Sequence, residues 1–212
     1  MKIKNFKNVN AMFSQCVNVI RETLNKNTII SIGFSGGKTP IKLFKMLALA
    51  PFHWERIHIF LVDERNVPLN HMDSNYYNLK INLLDKIHIP KKNIHHIYYF
   101  ENPKDSQTLY EKNLKEFFKK NISFDIIFLG MGSDGHTASL FSKEDLNKKE
   151  VVVTTSSPNH SHNRISLGID TINNSKRNIL LLTRDKIPTF ENINSSNKPI
   201  TYVKHLEVFI EL

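Results

Sequence analysis

His136 stands two residues after Asp134 in GMGSDGHTASLF, residues 130–141, among glycines at 130, 132 and 135. An imidazole beside a carboxylate in a turn of small residues can take a proton from water near neutral pH, since the neutral ring is basic enough and the carboxylate orients it. Asp134 also reads as a residue that only shapes the turn. A helix expected over 137–142 would set its positive end beside the ring and favour the neutral form. A second glycine stretch, SIGFSGGKTP at 31–40, offers main-chain N–H groups at Gly36 and Gly37, the Lys38 ammonium, the Thr39 hydroxyl, and Pro40 as a first helical residue. It is not a Walker A loop, which needs four residues between its first glycine and a Gly-Lys pair, so no nucleoside triphosphate is implied. Six of the seven glycines lie in these two stretches, and glycine lets a ligand approach the main chain. The two stretches therefore read as one site for a small phosphorylated molecule.

A third segment, VDERNVPLNHMDSNYYN at 62–78, carries Asp63, Glu64 and Arg65 at the end of the apolar run IHIFLV. Arg65 there suits a paired, charge-assisted contact with phosphate or carboxylate, a surface ion pair being the plainer alternative. Asp63 reads as a ligand contact or as a holder of the arginine, Ser74 as a helix cap, and Asn75 as within reach of the ligand. Arg164, opening RISLGID, offers a second cation, although its pattern is no better than that of a surface arginine. His53, His58, His71, His88, His95 and His96 lie outside comparable turns. His160 and His162 have no carboxylate or cysteine beside them in the chain and read as incidental; no metal site is expected.

Such residues need a scaffold that brings distant loops together. Both glycine stretches follow apolar, β-branched runs, NTIISIGF and FDIIFLG, and helix-like and strand-like patterns alternate throughout. Helices are expected near 8–25, 40–48, 74–84, 104–120, 137–142 and 187–194, and strands near 28–33, 57–62, 94–98, 124–129, 151–154, 164–168, 178–183 and 206–211. SSPNHSHN at 156–163 and NSSNKP at 194–199 read as loops. The alternation predicts one α/β domain over residues 1–212, with a mainly parallel central sheet and helices on both faces. The formal charge of +9 comes from scattered lysines, without the clustering or aromatic pattern of a nucleic-acid binder. Neither a signal peptide nor a membrane span is legible, and a cytoplasmic protein is expected. The single cysteine, Cys16, falls on the apolar stripe of the first helix and reads as a buried structural thiol.

Together SGGKTP, VDERNVPLNHMDSNYYN and GMGSDGHTASLF resemble the 6-phosphogluconolactonase family, in matching order over almost the whole chain. The resemblance implies a Rossmann-like α/β sandwich related to glucosamine-6-phosphate deaminase and ribose-5-phosphate isomerase. It also implies hydrolysis of 6-phospho-D-glucono-1,5-lactone to 6-phosphogluconate in the oxidative pentose phosphate pathway, without metal or organic cofactor. The expected partner is the phosphorylated sugar lactone, with no nucleic acid or membrane, and the expected state a monomer or weak homodimer. By resemblance, His136 takes the acid/base position, Arg65 and Arg164 the phosphosugar positions, and SGGKTP the loop beside the substrate. The chain departs from the family where a Gly-x-x-Lys segment is usual: NILLLT runs into Arg184, Asp185 and Lys186, and Lys186 or Arg184 is the candidate substitute. Ser133 replaces the motif's common proline, a change that leaves His136 in place. A glucosamine-6-phosphate deaminase or isomerase is the nearest alternative. Its members continue after Asp-Gly-His with Ala-Phe-Asn-Glu-Pro, a carboxylate that Ala138, Ser139, Leu140 and Phe141 do not supply. A non-catalytic sugar-phosphate-binding module is a further alternative.

Overall fold

An apolar run without polar alternation, such as ISIGF or NILLL, is stable as a strand only where both faces are covered. The computed structural model, which describes residues 1–158, 161–193 and 198–212 and Lys38 by its main chain alone, meets that demand with a parallel sheet. The chain runs through β1 (Lys2–Phe6), α1 (Val9–Lys26), β2 (Ile30–Phe34), α2 (Lys38–Leu47), β3 (Ile57–Leu61), β4 (Asp63–Arg65), α3 (Asn75–Asn82), β5 (Ile94–His95) and α4 (Pro103–Phe118). It continues through β6 (Ile126–Leu129), α5 (Lys143–Asn147), β7 (Val152–Ser156), β8 (Asn163–Leu167), α6 (Ile169–Asn173), β9 (Asn178–Leu182), α7 (Ile187–Ile193) and β10 (Leu206–Glu211). Seven strands form the central sheet in the order β1-β10-β9-β6-β2-β3-β5, every pairing parallel. All five residues of β2 and of β9 are buried, so neither face of the sheet centre meets water. No described helix is long and apolar enough to cross a membrane.

The helices form where pattern and caps agree. In α1, buried Met12, Phe13, Cys16, Val19, Ile20 and Leu24 recur at helical spacing, and the Asn8 side chain accepts from Ala11 N at 2.9 Å. Burial pushes the Cys16 thiol far above its ordinary range, which leaves it an inert core group. Helix α2 starts at Lys38, so Pro40 is its third residue rather than its first. It still sits in the first turn, where no intrahelical donor is lost.

The expected helix over 137–142 is not formed. Ala138 has φ 51° and Thr137 bridges Leu140, so the segment is a tight turn. The stronger local signal is Ser142 with Asp145 three residues on, a capping box that starts α5 at Lys143. Strands β1 and β4 and helix α6 lie outside the expected elements, β1 because KIKNF reads as polar and is four-fifths exposed. Strand β4 pairs with β8, and β8 with β7, in a separate three-stranded antiparallel sheet.

One cluster within the fold sets an acid limit on stability. His58 Nδ1 lies 2.9 Å from His95 Nε2, and the His95 ring stacks on Phe60 at 4.0 Å. Burial, then the neighbouring imidazoles of His58 and His96, push the His95 pKa down to about 4. The unfolded chain therefore binds a proton that the folded one resists, so stability is full above about 6.5 and falls as the pH drops toward 4. Allowing for partial exposure, the loss is about 2 kcal/mol. Melting curves between neutral pH and pH 5 are expected to fall more steeply for the native chain than for His95→Gln.

Candidate active site

The order of the parallel strands creates a crevice. From β2 the chain moves outward through β3 and β5, then returns at β6 on the other side of β2 and continues through β9 and β10. Loops leaving the carboxyl ends of two strands at such a reversal diverge and leave room for a ligand. Those loops are the two glycine stretches: Ser35, Gly36 and Gly37 follow β2, and Gly130 to His136 follow β6. Ser35 N donates to Phe128 O at 3.0 Å and ties the strands at the base. Between them lies a cleft of about 680 Å³, lined by Gly36, Gly37, Gly132, His136, Arg65 and Arg164 among others. That volume suits a small metabolite.

The loop after β6 folds on itself to present the imidazole. Gly132 N donates to His136 O at 2.9 Å, Gly135 N to Gly132 O at 3.1 Å, and the Thr137 hydroxyl to Gly130 O at 2.9 Å. Gly135 needs its glycine, with φ 84°. His136 Nδ1 stands 2.5 Å from Asp134 Oδ1, which also accepts from His136 N at 3.2 Å. Burial raises the Asp134 pKa, but the imidazole charge and hydrogen bonds outweigh it and hold the carboxyl below its usual range. An ionised carboxylate can only accept, so in the neutral ring Nδ1 carries the proton and Nε2 the lone pair. The ring also packs on Phe141, centroids 4.7 Å apart.

The cationic end is built by the small sheet. In the β4–β8 ladder Arg65 is paired directly opposite Arg164, two like charges in a position that is unfavourable unless an anion joins them. Arg65 Nη1 donates to Asp73 O at 2.6 Å and to Asn75 Oδ1 at 2.8 Å; Arg164 Nη1 donates to His162 O at 2.5 Å. Burial and then the Arg65 charge lower the Arg164 pKa from its ordinary value. Asn75 also donates to Asp63 O at 2.8 Å and presses against Gly36, where an added Cβ would lie 1.8 Å from Asn75 Oδ1. The loop after β2 and the arginine segment thus interlock through a position that only glycine fits.

Of the site residues expected from the sequence, Gly36, Gly37, Thr39, Asp63, Arg65, Asn75, His136, Arg164 and Lys186 line this cleft. Asp134 reaches it through His136. The Lys38 side chain and His160 lie outside the described residues. Asp63 does not hold the arginine: its carboxylate accepts from the Ser139 hydroxyl at 2.6 Å. Arg184 turns away to donate to Leu212 O, so of the two alternatives Lys186 is the one on the cleft. Ser74 caps α3, accepting from Tyr77 N at 3.1 Å.

Two residues escaped the sequence reading. Glu64 is buried and accepts from Arg65 N, Asn75 N, Tyr76 N and the Ser74 hydroxyl at 2.7–2.9 Å. Burial drives its pKa up to about 7 against those four bonds. A lone glutamate in a charged triplet gives no sign of that role. Ser35 is 5% exposed, lines the cleft, and its hydroxyl has no hydrogen-bond partner among the described residues. Its place beside two glycines was the available signal.

Residues 5–210 match the family model described as glucosamine-6-phosphate isomerases/6-phosphogluconolactonase. The chain is similar to the GDH/6PGL endoplasmic bifunctional protein of Homo sapiens, 40% identical over 161 residues, which is 71% of this chain and 20% of that protein. It thus matches about a fifth of that relative's length. It is also similar to the 6-phosphogluconolactonase of Thermotoga maritima, 35% identical over 168 residues, covering 79% of this chain and 74% of that one. A crystal structure of 6-phosphogluconolactonase from Thermotoga maritima superposes with a TM-score of 0.91 at 29% identity, over 99% of this chain and 98% of the other.

Proposed function

Because the chain belongs to the glucosamine-6-phosphate isomerase/6-phosphogluconolactonase family, we propose that it hydrolyses 6-phospho-D-glucono-1,5-lactone to 6-phospho-D-gluconate. The observation that carries this reading is one cleft whose lining holds both an Asp134-oriented imidazole and two guanidinium groups from paired positions of one ladder. The substrate has matching parts, a phosphate and an electrophilic carbonyl.

In this mechanism Arg65, Arg164 and Lys186 hold the phosphate and set the lactone carbonyl near His136, an orientation worth several kcal/mol of barrier. His136 Nε2 takes a proton from the attacking water as the C1–O bond forms, and Asp134 stabilises the imidazolium. The tetrahedral intermediate then collapses, the bond from C1 to the ring oxygen breaks, and the imidazolium returns the proton to that oxygen. The N–H groups of Gly132 and Gly135 are already engaged within their own turn, so the developing oxyanion falls to the Gly36–Gly37 segment and the free N-terminal amides of α2. The unpartnered Ser35 hydroxyl supplies a further donor.

The test supplies freshly made lactone and glucosamine 6-phosphate separately and follows acid and ammonia release above the spontaneous background. Acid from the lactone alone is expected; ammonia release would select a deaminase, and neither product a binding module. A sharper local test is Gly132→Ala. A Cβ there would lie 2.2 Å from the His136 ring and 2.6 Å from Asp134 Oδ1, so the pair must move. Displacements of this size lower turnover about 100-fold, and kcat is expected to fall by that order while circular dichroism stays native.

A further inference from the structure

Beside the arginine pair, three side chains from two segments meet. His71 and Asp73 lie in the turn before α3, and His162 immediately precedes β8. Asp73 Oδ2 is 3.4 Å from His162 Nε2 and 3.8 Å from His71 Nδ1, and one ligand atom from each residue falls within 4.8 Å of the others. In the chain no carboxylate accompanies His162; in space Asp73 does.

We propose that His71, Asp73 and His162 form a binding site for a divalent transition cation of the zinc class. At metal–ligand bonds of about 2.0–2.1 Å, tetrahedral ligand atoms stand roughly 3.4 Å apart. The Asp73–His162 separation already has that value, the Asp73–His71 separation needs a few tenths of an ångström, and the two imidazoles, whose ligand atoms lie within 4.8 Å, must close the remainder by side-chain rotation. His71 Nδ1 accepts a hydrogen bond from Asp73 N at 3.1 Å, so that nitrogen carries a lone pair, here engaged by the main chain. Binding exchanges that contact for a metal bond. Two imidazoles and one carboxylate favour zinc, cobalt or nickel over magnesium or calcium, which take oxygen ligands. The side chains are partly exposed, 39%, 55% and 35% for His71, Asp73 and His162, so water completes the coordination.

The position has a consequence for the cleft. Asp73 O accepts from Arg65, and His162 O accepts from Arg164. A cation joining the two side chains cross-links the segments that hold the two guanidinium groups. Binding of the metal itself does not depend on the reaction assigned to the cleft.

The experiment titrates the chelator-treated, dialysed chain with Co²⁺, read by its visible absorption, and with Zn²⁺, read by competition with a colorimetric chelator. One equivalent at micromolar affinity is expected, weakened at least 10-fold in His162→Gln and in His71→Gln. His53→Gln, altering a separate surface pair with Glu55, is expected to bind as the native chain does. Native melting behaviour of either site variant suffices for the comparison. No micromolar binding to the native chain, or equal affinity in a folded site variant, overturns the proposal, whatever the lactone assay shows.

Discussion

Replacing His136 with alanine is expected to lower kcat for lactone hydrolysis by about 100-fold or more, some 2.7 kcal/mol of transition-state stabilisation, with KM close to native. Without the ring, the attacking water must lose its proton to solvent, and no described side chain in that turn offers a second neutral base. The contacts around Arg65 and Arg164 run through Asp73, Asn75 and His162 rather than through the 130–137 loop, so phosphosugar binding should survive. Initial rates corrected for spontaneous lactone opening decide it. Native turnover in a folded variant would falsify the role.

Arg65→Ala is expected to act on the other parameter, raising KM by roughly 30-fold or more while kcat changes little, since truncating one partner of a desolvated charge contact removes 2 kcal/mol or more. The guanidinium is held in advance by Asp73 O and Asn75 Oδ1, so little ordering is left for the substrate to impose. Arg65→Lys keeps the charge but not the planar fork and should fall between the two. A weaker inhibition constant for the product would accompany the KM change. A fall in kcat at native KM would instead move Arg65 to the reacting end.

Periodicity and glycine placement made much of this architecture legible. The apolar runs behind β2, β3, β6, β9 and β10 could be little else, and the two glycine stretches stand where the sheet order reverses. The chain did not disclose the small antiparallel sheet, because β4 is a three-residue strand inside a charged motif and its partnership with β8 spans a long sequence separation. Arg164 was therefore indistinguishable from a surface arginine, although that ladder is what sets it opposite Arg65. The helix expected after His136 failed for a local reason: the capping box at Ser142 outweighs small residues that tolerate either conformation. Glu64 was missed because three of its four donors are main-chain N–H groups, which carry no residue signature, and the fourth is the hydroxyl of Ser74, which reads as a helix cap.

The uneven charge along the cleft bears on what happens once the ring has opened. In the proposed reaction the lactone arrives neutral at the His136 end and leaves as a carboxylate, a new negative charge delivered to the imidazole that the ionised Asp134 holds. Repulsion there falls on the product and not on the starting material, so the chemistry itself loosens the grip of the site. The two guanidinium groups of Arg65 and Arg164, from paired positions of one ladder, are better neutralised by a dianion than by a monoanion, which discourages the acid from turning round to rebind by its new end. Direction and discharge would then both be written into a single electrostatic gradient, with no moving part required.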